Sequence, residues 1–321
     1  MSFSGKVDVR EGFAKALLEL GEVDEAVVAM TADLAGAVKV KPFGDRFPER
    51  FFQMGIAESD MMGTAAGLAL GGKTVFPTTF AVFAASLANQ AVRLSIAYNR
   101  ANVKIAASHG GITVGGDGAT HQAFEDIALM RLLPGMTVIV PADANEAYKA
   151  TYAAAEMDGP VYLRLARSPH PVVTDGSAPL EIGKADVLRD GRDVAIVATG
   201  AMVSRALAAA ESLANQGCDA RVINMHTIKP IDKDCLLKAA EECGRIVTVE
   251  EHSVLGGLGG VVAEVVSGGC PVPIEKVGVQ DVFGESGEPD EVLEKHGLTA
   301  EAVSAAALRV VESSLMAQRM S

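Results

Sequence analysis

The strongest constraint on the fold is a regular alternation of short apolar, β-branched runs with longer alanine-rich stretches. In the first half of the chain the apolar runs are EAVVAMTA, KTVFPTTF, NVKIAAS, TVIVPA and PVYLRL. The stretches between them have the composition and length of helices, and the runs have those of buried strands. Such an alternation predicts an α/β fold with a parallel, doubly wound sheet.

The alternation stops over residues 168–191 and then restarts. This segment contains SPHPVVTDGSAP and the turn sequence RDG at 189–191, which together predict a linker with a short hairpin. Beyond it, DVAIVATG, ARVINM, RIVTVEE and PIEKVGV alternate with helical stretches. A length of 321 residues exceeds the roughly 100 to 200 typical of one domain. We therefore predict two consecutive doubly wound domains, residues 1–170 and 192–321, joined by a linker over 171–191.

The chain is predicted to end in an amphipathic helix over residues 300–320, which would pack on the second domain. The apolar stripe of this helix consists of Val303, Ala307, Val310, Val311 and Leu315.

Charge and composition exclude several classes of partner. The formal net charge is −13, and no Lys/Arg-rich run is dense enough to follow a phosphate backbone, so neither nucleic acid nor an anionic membrane is expected. No apolar run reaches the roughly 20 residues of a spanning helix, and MSFSGKVDVRE lacks the apolar core of a signal peptide. The spacing of the cysteines suits reduced thiols and a cytoplasmic protein. They are Cys218, Cys235, Cys243 and Cys270.

An isolated acid, Glu58, precedes an Ala/Gly-rich helix in GIAESDMMGTAAGLALGG. It could simply complement the positive end of the helix dipole. However, another group can pack closely against the small residues Gly63, Ala65, Ala66 and Gly67. The acid also follows the carboxyl end of a predicted strand. Open α/β sheets bind their ligands at such ends. Glu58 is therefore a candidate binding residue.

Two phenylalanines, Phe80 and Phe83, lie three positions apart and are predicted to share one face of a helix that follows KTVFPTT. Such a pair is ordinarily core filling. Because only 5% of the residues are aromatic and none is Trp, two rings just after a candidate acid favour a stacking surface for a planar heterocycle.

The segment SHGGITVGGDGATHQAFED, residues 108–126, is the strongest local signal. It contains five glycines and the two histidines His109 and His121, between a predicted strand and a helix that is expected to begin at His121. This is the composition of a binding loop, although a histidine of this kind can also be purely structural.

These segments, in this order and spacing, resemble the pyrimidine-binding domain of transketolases, and the chain after the linker resembles their C-terminal domain. ADLA at 32–35, AVR at 91–93, YLRLARS and VEEHSVLGGLGG extend the resemblance over nearly the whole chain. It implies a thiamin diphosphate enzyme. In this family, a glutamate at the position of Glu58 holds the aminopyrimidine ring and shares its proton, Phe80 and Phe83 line the ring pocket, and Asp33 belongs to the same cofactor pocket.

The resemblance also implies a sugar site. His121 and Asp117 correspond to residues that bind the sugar hydroxyls. His121 would also be catalytic, together with Glu58. The resemblance further places Arg10, His109 and Arg167 on the terminal phosphate of the substrate, where guanidinium groups suit an oxyanion.

Two further positions bear on substrate binding. Arg164 is another candidate for contact with the substrate, its alternative being a half-exposed strand arginine in a surface ion pair. Ala37 departs from the family, since a phosphate-contacting serine is usual at this position, and it leaves open how the phosphate is held.

We expect no diphosphate-binding half in this sequence. Thiamin diphosphate enzymes hold Mg²⁺ and the diphosphate with a Gly-Asp-Gly that ends a hydrophobic strand, followed by an Asn. The triplet at 116–118 follows a Gly-rich loop instead, and Asn145 lies at the start of a helix, where Asn commonly caps. LGGLGG at 255–260 does not have the spacing of a dinucleotide fingerprint. We therefore predict no metal site in this chain.

The resemblance thus implies the C-terminal subunit of a split transketolase. An N-terminal, diphosphate-binding subunit would supply the Mg²⁺, in an α2β2 assembly that acts on phosphorylated sugars, most commonly in the pentose phosphate pathway. Three alternatives remain: a deoxyxylulose-phosphate-synthase-like subunit, a β subunit of a 2-oxo acid dehydrogenase, and a non-catalytic regulatory or binding subunit.

Overall fold

The computed structural model describes residues 3–320, with side chains as far as residue 313. The strands within these residues are β1 (Lys6–Asp8), β2 (Val27–Thr31), β3 (Phe51–Gln53), β4 (Thr74–Phe80), β5 (Lys104–Ser108), β6 (Thr137–Ile139), β7 (Val161–Arg164), β8 (Pro169–Pro171), β9 (Asp186–Arg189), β10 (Val194–Ala198), β11 (Ala220–Asn224), β12 (Thr227–Lys229), β13 (Ile246–Ser253) and β14 (Ile274–Val279).

Helices follow most of the strands. The α-helices are α1 (Val9–Val23), α2 (Lys41–Arg46), α3 (Glu58–Leu70), α4 (Asn89–Ala91), α5 (Asp126–Arg131), α6 (Ala144–Glu156), α7 (Met202–Ala214), α8 (Lys233–Cys243), α9 (Leu258–Gly269), α10 (Pro289–Lys295) and α11 (Ala300–Met320). Two 3₁₀ segments, Pro48–Arg50 and Gly115–Thr120, and two π-helical segments, Phe83–Leu87 and Val92–Ala97, complete the helical structure.

The first sheet has seven strands in the order β12-β6-β7-β5-β4-β2-β3, all parallel except β12 at one edge. Alternate residues of its strands face opposite layers of helices, as the pleat requires. Val28 and Met30 pack in a core with α3, whereas Val27 and Ala29 pack in another with α1 and α6. The sheet is therefore doubly wound.

The second sheet has five strands in the order β14-β13-β10-β11-β9, and only β9 is antiparallel. Ile196 on β10 faces a core shared with α7 and α11, and its neighbour Val197 faces α8 and α9. The predicted fold class, two consecutive doubly wound α/β units, is confirmed. One strand crosses between them, because β12, which follows the second domain's β11, forms the edge of the first sheet.

The predicted hairpin within residues 168–191 is wrong. Strand β8 pairs antiparallel with β1, with His170 opposite Val7, and β9 pairs antiparallel with β11 of the second sheet. Turn residues signal where a strand ends and not which strand it joins, so the turn at 189–191 did not identify the partners of the strands in this segment.

The C-terminal helix has the expected apolar face. Val303, Ala307 and Val310 are buried against α7 and the second sheet, and Val311 is half-buried. Leu315 lies outside the residues whose side chains are described. Within residues 3–320, no helix combines the length and the hydrophobicity that crossing a bilayer requires.

Candidate active site

The carboxyl ends of the parallel strands bring half of the predicted site residues to one edge of the first sheet. In an open α/β sheet this edge is where ligands bind. The residues are Asp33 after β2, Glu58 after β3, Phe80 at the end of β4, His109 after β5 and Arg167 after β7.

Glu58 is the first residue of α3, and only 4% of it is exposed. No group in the part of the chain that the structure describes donates a hydrogen bond to its carboxylate, and Ala57 before it provides no side-chain cap. Ser59 Oγ contacts the carbonyl of Leu87 at 3.5 Å, so this end of α3 lies against the π-helical segment that begins at Phe83. A buried carboxyl without an internal donor is costly, and it suits a donor from a ligand.

The two phenylalanine rings are stacked, with centroids 5.8 Å apart and planes inclined by 11°. The prediction that one helix carries both rings is wrong, because the helical segment begins only at Phe83. Phe80 is the last residue of β4, where it pairs with Ser108, and Phe83 opens the π-helical segment. The rings meet because the chain turns sharply from strand to helix between them. Together the two stacked rings form a single aromatic surface at the edge of the sheet.

His109 stacks on Phe80, with ring centroids 3.7 Å apart. Its backbone is left-handed, with φ +61°, and Ser108 Oγ lies 2.7 Å from its Nδ1. Burial above all, and then the charges of Arg10 and Arg167, lower the pKa of His109 to about 3. The imidazole is therefore neutral at pH 7 and can hydrogen bond without repelling a nearby cation.

This neutral histidine makes stability depend on pH. Because its pKa in the folded protein, about 3, is below its ordinary value of 6.5, the unfolded chain binds the extra proton first. The stabilisation is complete above about pH 6.5 and is lost as the pH falls from there towards 3.

We expect the free energy of unfolding of the wild type to fall more steeply between pH 6.5 and pH 5 than that of His109→Asn. The difference should be about 1.4 kcal/mol per pH unit. Urea unfolding at several pH values measures both slopes, and equal slopes would show that His109 is an ordinary surface-like histidine.

The Gly-rich loop turns back over this aromatic surface. His121 lies edge-on to Phe83 at 5.4 Å and to Phe80 at 6.0 Å, and Thr120 Oγ1 is 2.9 Å from its Nδ1. Asp117 is exposed on the preceding 3₁₀ segment. Phe80, Phe83, His109 and His121 thus form one cluster of four rings.

The helix expected to begin at His121 begins at Asp126 instead. Gly118 has φ +68° and ψ −160°, which no helix contains, so the residues around it form an irregular 3₁₀ turn.

Arg10 and Arg167 adjoin the ring cluster. Arg10 Nη2 donates to the carbonyl of Arg167 at 3.0 Å, and Nη1 donates to the carbonyl of Ala37 at 2.6 Å. Ala37, which replaces the serine usual in the family, therefore lies beside Arg10, one of the two arginines expected to bind the phosphate. Nε and the same Nη2 of Arg10 also donate to the carboxylate of Asp8, at 2.9 and 2.6 Å, and this carboxylate offsets part of the charge of the guanidinium. Asp8 was not recognised from the sequence.

Arg164 occupies a different environment from the other predicted substrate residues. It is 5% exposed, and its Nε donates to Asp126 at 2.7 Å. Its Nη2 donates to the carbonyls of Ala123 and Glu251 at 2.9 and 3.0 Å. The guanidinium is thus occupied in a buried network under the Gly-rich loop, and the ion pair is not the surface pair considered from the sequence.

Asp33 and Asn145 also have definite places. Asp33 is exposed with φ +58°, and its N–H donates to Gln53 Oε1 at 2.6 Å. Asn145 is the second residue of α6, and the helix is capped by Asp143, so Asn145 is not the cap that the sequence suggested. The amide of Asn145 binds the carbonyl of Thr174 and the backbone of Phe3 instead.

One cluster of metal-ligating side chains occurs among the described residues, formed by Glu146, Asp186 and His226, whose ligand atoms lie within 4.8 Å of one another. It contains none of the predicted site residues.

Sequence reasoning missed Glu251, which is 3% exposed on β13 of the second sheet. Its Oε1 accepts hydrogen bonds from the N–H groups of Ile112 and Thr113 and from Thr113 Oγ1, at 2.7 to 2.8 Å. A glutamate in a strand gives no local signal that a loop 138 residues earlier in the chain will bind it.

Two family models match this chain. One, described as transketolase, pyrimidine binding domain, matches residues 5–171, and the other, transketolase, C-terminal domain, matches residues 183–303.

Relatives of known name are similar over nearly the full length. A 6-deoxy-6-sulfo-D-fructose transketolase subunit from Clostridium sp. (strain MSTE9) is 45% identical, over 95% of this chain and 94% of its own. An apulose-4-phosphate transketolase subunit from Phocaeicola vulgatus is 40% identical, over 94% and 97%. A 1-deoxy-D-xylulose-5-phosphate synthase from Desulforudis audaxviator is 36% identical over 93% of this chain, which spans only 47% of that synthase.

A solved structure entitled "Split gene transketolase, inactive beta4 tetramer" has a TM-score of 0.90 to this chain and 51% sequence identity. The match covers 95% of this chain and 99% of that one.

Proposed function

The chain belongs to the transketolase family, and on that premise we propose that it is the C-terminal subunit of a split transketolase. It would transfer a two-carbon ketol unit from a ketose to an aldose, both commonly phosphorylated, by thiamin diphosphate chemistry. We further propose a cytoplasmic location and a division between the domains within residues 171–191. The ends of the two family matches, at 171 and 183, support that division.

The observation that carries the proposal is the environment of Glu58. Its carboxylate is buried, has no donor among the described residues, and lies where α3 meets the segment that bears Phe83. The residues present therefore fit the pyrimidine half of thiamin diphosphate: Glu58 would bind a ring nitrogen, and the Phe80–Phe83 surface would pack on the ring. When bound, the cofactor supplies the nucleophilic carbon and the electron sink.

The remaining steps are assigned to residues of this chain. Glu58 would hold and move the proton at the ring nitrogen, and the apolar α3 and aromatic neighbours would exclude water from it. His121 and Asp117 would bind the hydroxyl groups of the sugar, and the neutral His109 would donate or accept a further hydrogen bond. Asp33 would border the cofactor from the end of β2.

Arg10 and Arg167 would bind the anionic end of the substrate. Because Asp8 holds two nitrogens of Arg10, the phosphate would have to compete with an internal carboxylate. This favours a test over several anionic groups, including the sulfonate and phosphate sugars in the names of the relatives. A pentose phosphate substrate is one member of that panel.

The diphosphate and Mg²⁺ are proposed to lie on a separate N-terminal subunit in an α2β2 enzyme. Three observations support a second chain: subunits of about this length among the relatives, the half-length match to a synthase, and the solved β tetramer that is described as inactive.

A direct comparison tests the proposal. The purified chain with thiamin diphosphate and Mg²⁺ is expected to show ketol transfer at least about 10³-fold slower than the same chain mixed with its diphosphate-binding partner, because half of the cofactor site is absent. Full activity of the chain alone would refute the proposal.

The second candidate is a synthase-like subunit, which the 36% identity to deoxyxylulose phosphate synthases favours. Formation of deoxyxylulose phosphate by the assembled enzyme, without ketol transfer between sugars, would establish it. The same assay tests the two remaining alternatives. A 2-oxo acid dehydrogenase β subunit would give a decarboxylation product, and a non-catalytic subunit would give no product.

A further inference from the structure

The second domain holds the Gly-rich loop that carries Asp117 and His121. Of the two adjacent buried glutamates on β13, Glu251 extends to this loop, whereas Glu250 faces the other side of the sheet, as alternate strand residues must. Glu250 accepts hydrogen bonds from the N–H groups of Leu258 and Gly259 at the start of α9, at 2.6 and 2.8 Å, entirely within its own domain.

The contact of Glu251 with the loop is close and specific. One carboxylate oxygen binds two consecutive backbone N–H groups and the hydroxyl of Thr113. A Cβ added at Gly111, whose φ is +99°, would lie 2.2 Å from the same oxygen, so only glycine allows this approach. A buried carboxylate is stable only with such donors, and the donors in turn depend on it.

A second segment of the same domain holds the other end of the loop. Gln122 Nε2 donates to the carbonyl of Glu285 at 2.9 Å and to that of Ile112 at 2.9 Å, which ties the two ends of the loop together. Ser286 packs so closely on Gly118 that a Cβ there would lie 2.4 Å from its Oγ. Residues 112–122 are thus fixed from two sides by β13 and by 284–287.

We propose that Glu251 is a positioning residue, through which the C-terminal domain sets the conformation of the loop that presents Asp117 and His121 to the sugar. The hydrogen bonds of the Glu251 carboxylate go to Ile112 and Thr113, and to no residue of the ring cluster. Its effect is transmitted through Ile112 and Thr113. The part that concerns the sugar rests on the proposed function, and the part that concerns the loop does not.

Hydrogen exchange of the full chain, followed by mass spectrometry, tests the loop directly. Glu251→Ala should accelerate amide exchange within residues 110–122 by about ten-fold or more, because two buried N–H groups lose a charged acceptor. Glu251→Gln retains an oxygen at this position and should restore most of the protection. The matched control, Glu250→Ala, should accelerate exchange near residues 258–262 and leave the loop unchanged.

The assembled enzyme provides the second measurement. Glu251→Ala is expected to lower kcat/KM for the sugar by about ten-fold or more, while the thiamin diphosphate concentration for half-maximal rate stays as in the wild type. Thr113→Val, which removes one of the three bonds without unpairing a backbone group, should give a smaller change of the same kind and serves if Glu251→Ala does not fold.

Unchanged loop exchange in Glu251→Ala, or in Thr113→Val if the alanine variant is unfolded, would overturn the proposal. So would an equal loss of cofactor and sugar binding, which indicates general damage. If the wild-type assembly transfers no ketol unit at all, the proposed function fails, and the exchange experiment still decides whether Glu251 holds the loop.

Discussion

Glu58→Gln in the assembled enzyme is expected to lower kcat for ketol transfer by about 10²- to 10⁴-fold, the usual contribution of a positioned proton-transfer group. The amide has nearly the same shape as the carboxyl group, but it cannot share a proton with the pyrimidine ring. Because the side chain has no hydrogen-bond donor within the described chain, the substitution breaks no internal contact. The rate is measured with saturating thiamin diphosphate and partner.

The control for this prediction is Asp60→Asn, an exposed acid in the same first turn of α3. If Glu58 only complements the helix dipole, both substitutions should cost a similar 0.3 to 1 kcal/mol of stability, on the order expected for a charge at a helix end, and neither should abolish transfer. An active Glu58→Gln enzyme would favour this structural role and a non-catalytic subunit.

Arg164→Met is expected to lower the free energy of unfolding by about 3 to 5 kcal/mol. Methionine keeps most of the volume of the arginine stem but leaves the Asp126 carboxylate, which is fully buried, without its cation. Asp126 would retain only the hydroxyl of Tyr162 as a side-chain donor, at 2.8 Å. Urea unfolding of the purified chain measures the loss, and no partner subunit is needed.

Arg167→Met is the matched control, since Arg167 is half-buried and its guanidinium donates to the carbonyl of Val114 instead of to a buried carboxylate. Its stability should change by less than about 1 kcal/mol. If Arg164→Met were as stable as the wild type and instead raised the KM for the sugar, Arg164 would be a substrate residue, as the family resemblance implies.

The strands and helices could be predicted from the sequence because apolar runs and alanine-rich stretches are local properties of the chain. Val27 to Thr31 and Val194 to Ala198 are fully buried strands, and their uninterrupted apolar character predicted parallel sheets covered on both faces. Strand pairing was not readable. β8, β9 and β12 are each three or four residues long, and their partners lie far away in the sequence, so no pattern within the strands identifies them.

The same limit applies to the site. Phe80 and Phe83 were associated through a helical spacing that does not exist, and they meet because of a turn from strand to π-helix. The stacking of Phe80 on His109 depends on the left-handed backbone of His109, just after β5, and residue type alone does not predict that conformation for a histidine.

By itself, then, the sequence determined the α/β class, the order of two consecutive doubly wound units, and the identity of the residues with reactive side chains. Each of these depends on residue type and on spacings of a few positions. The tertiary structure alone decided which of these side chains are free and which are already bound. Arg164 and Arg10 have similar guanidinium groups, but one is enclosed with Asp126 and the other lies at the sheet edge with Asp8. That difference arises from burial and from partners distant in the chain, which no local pattern contains.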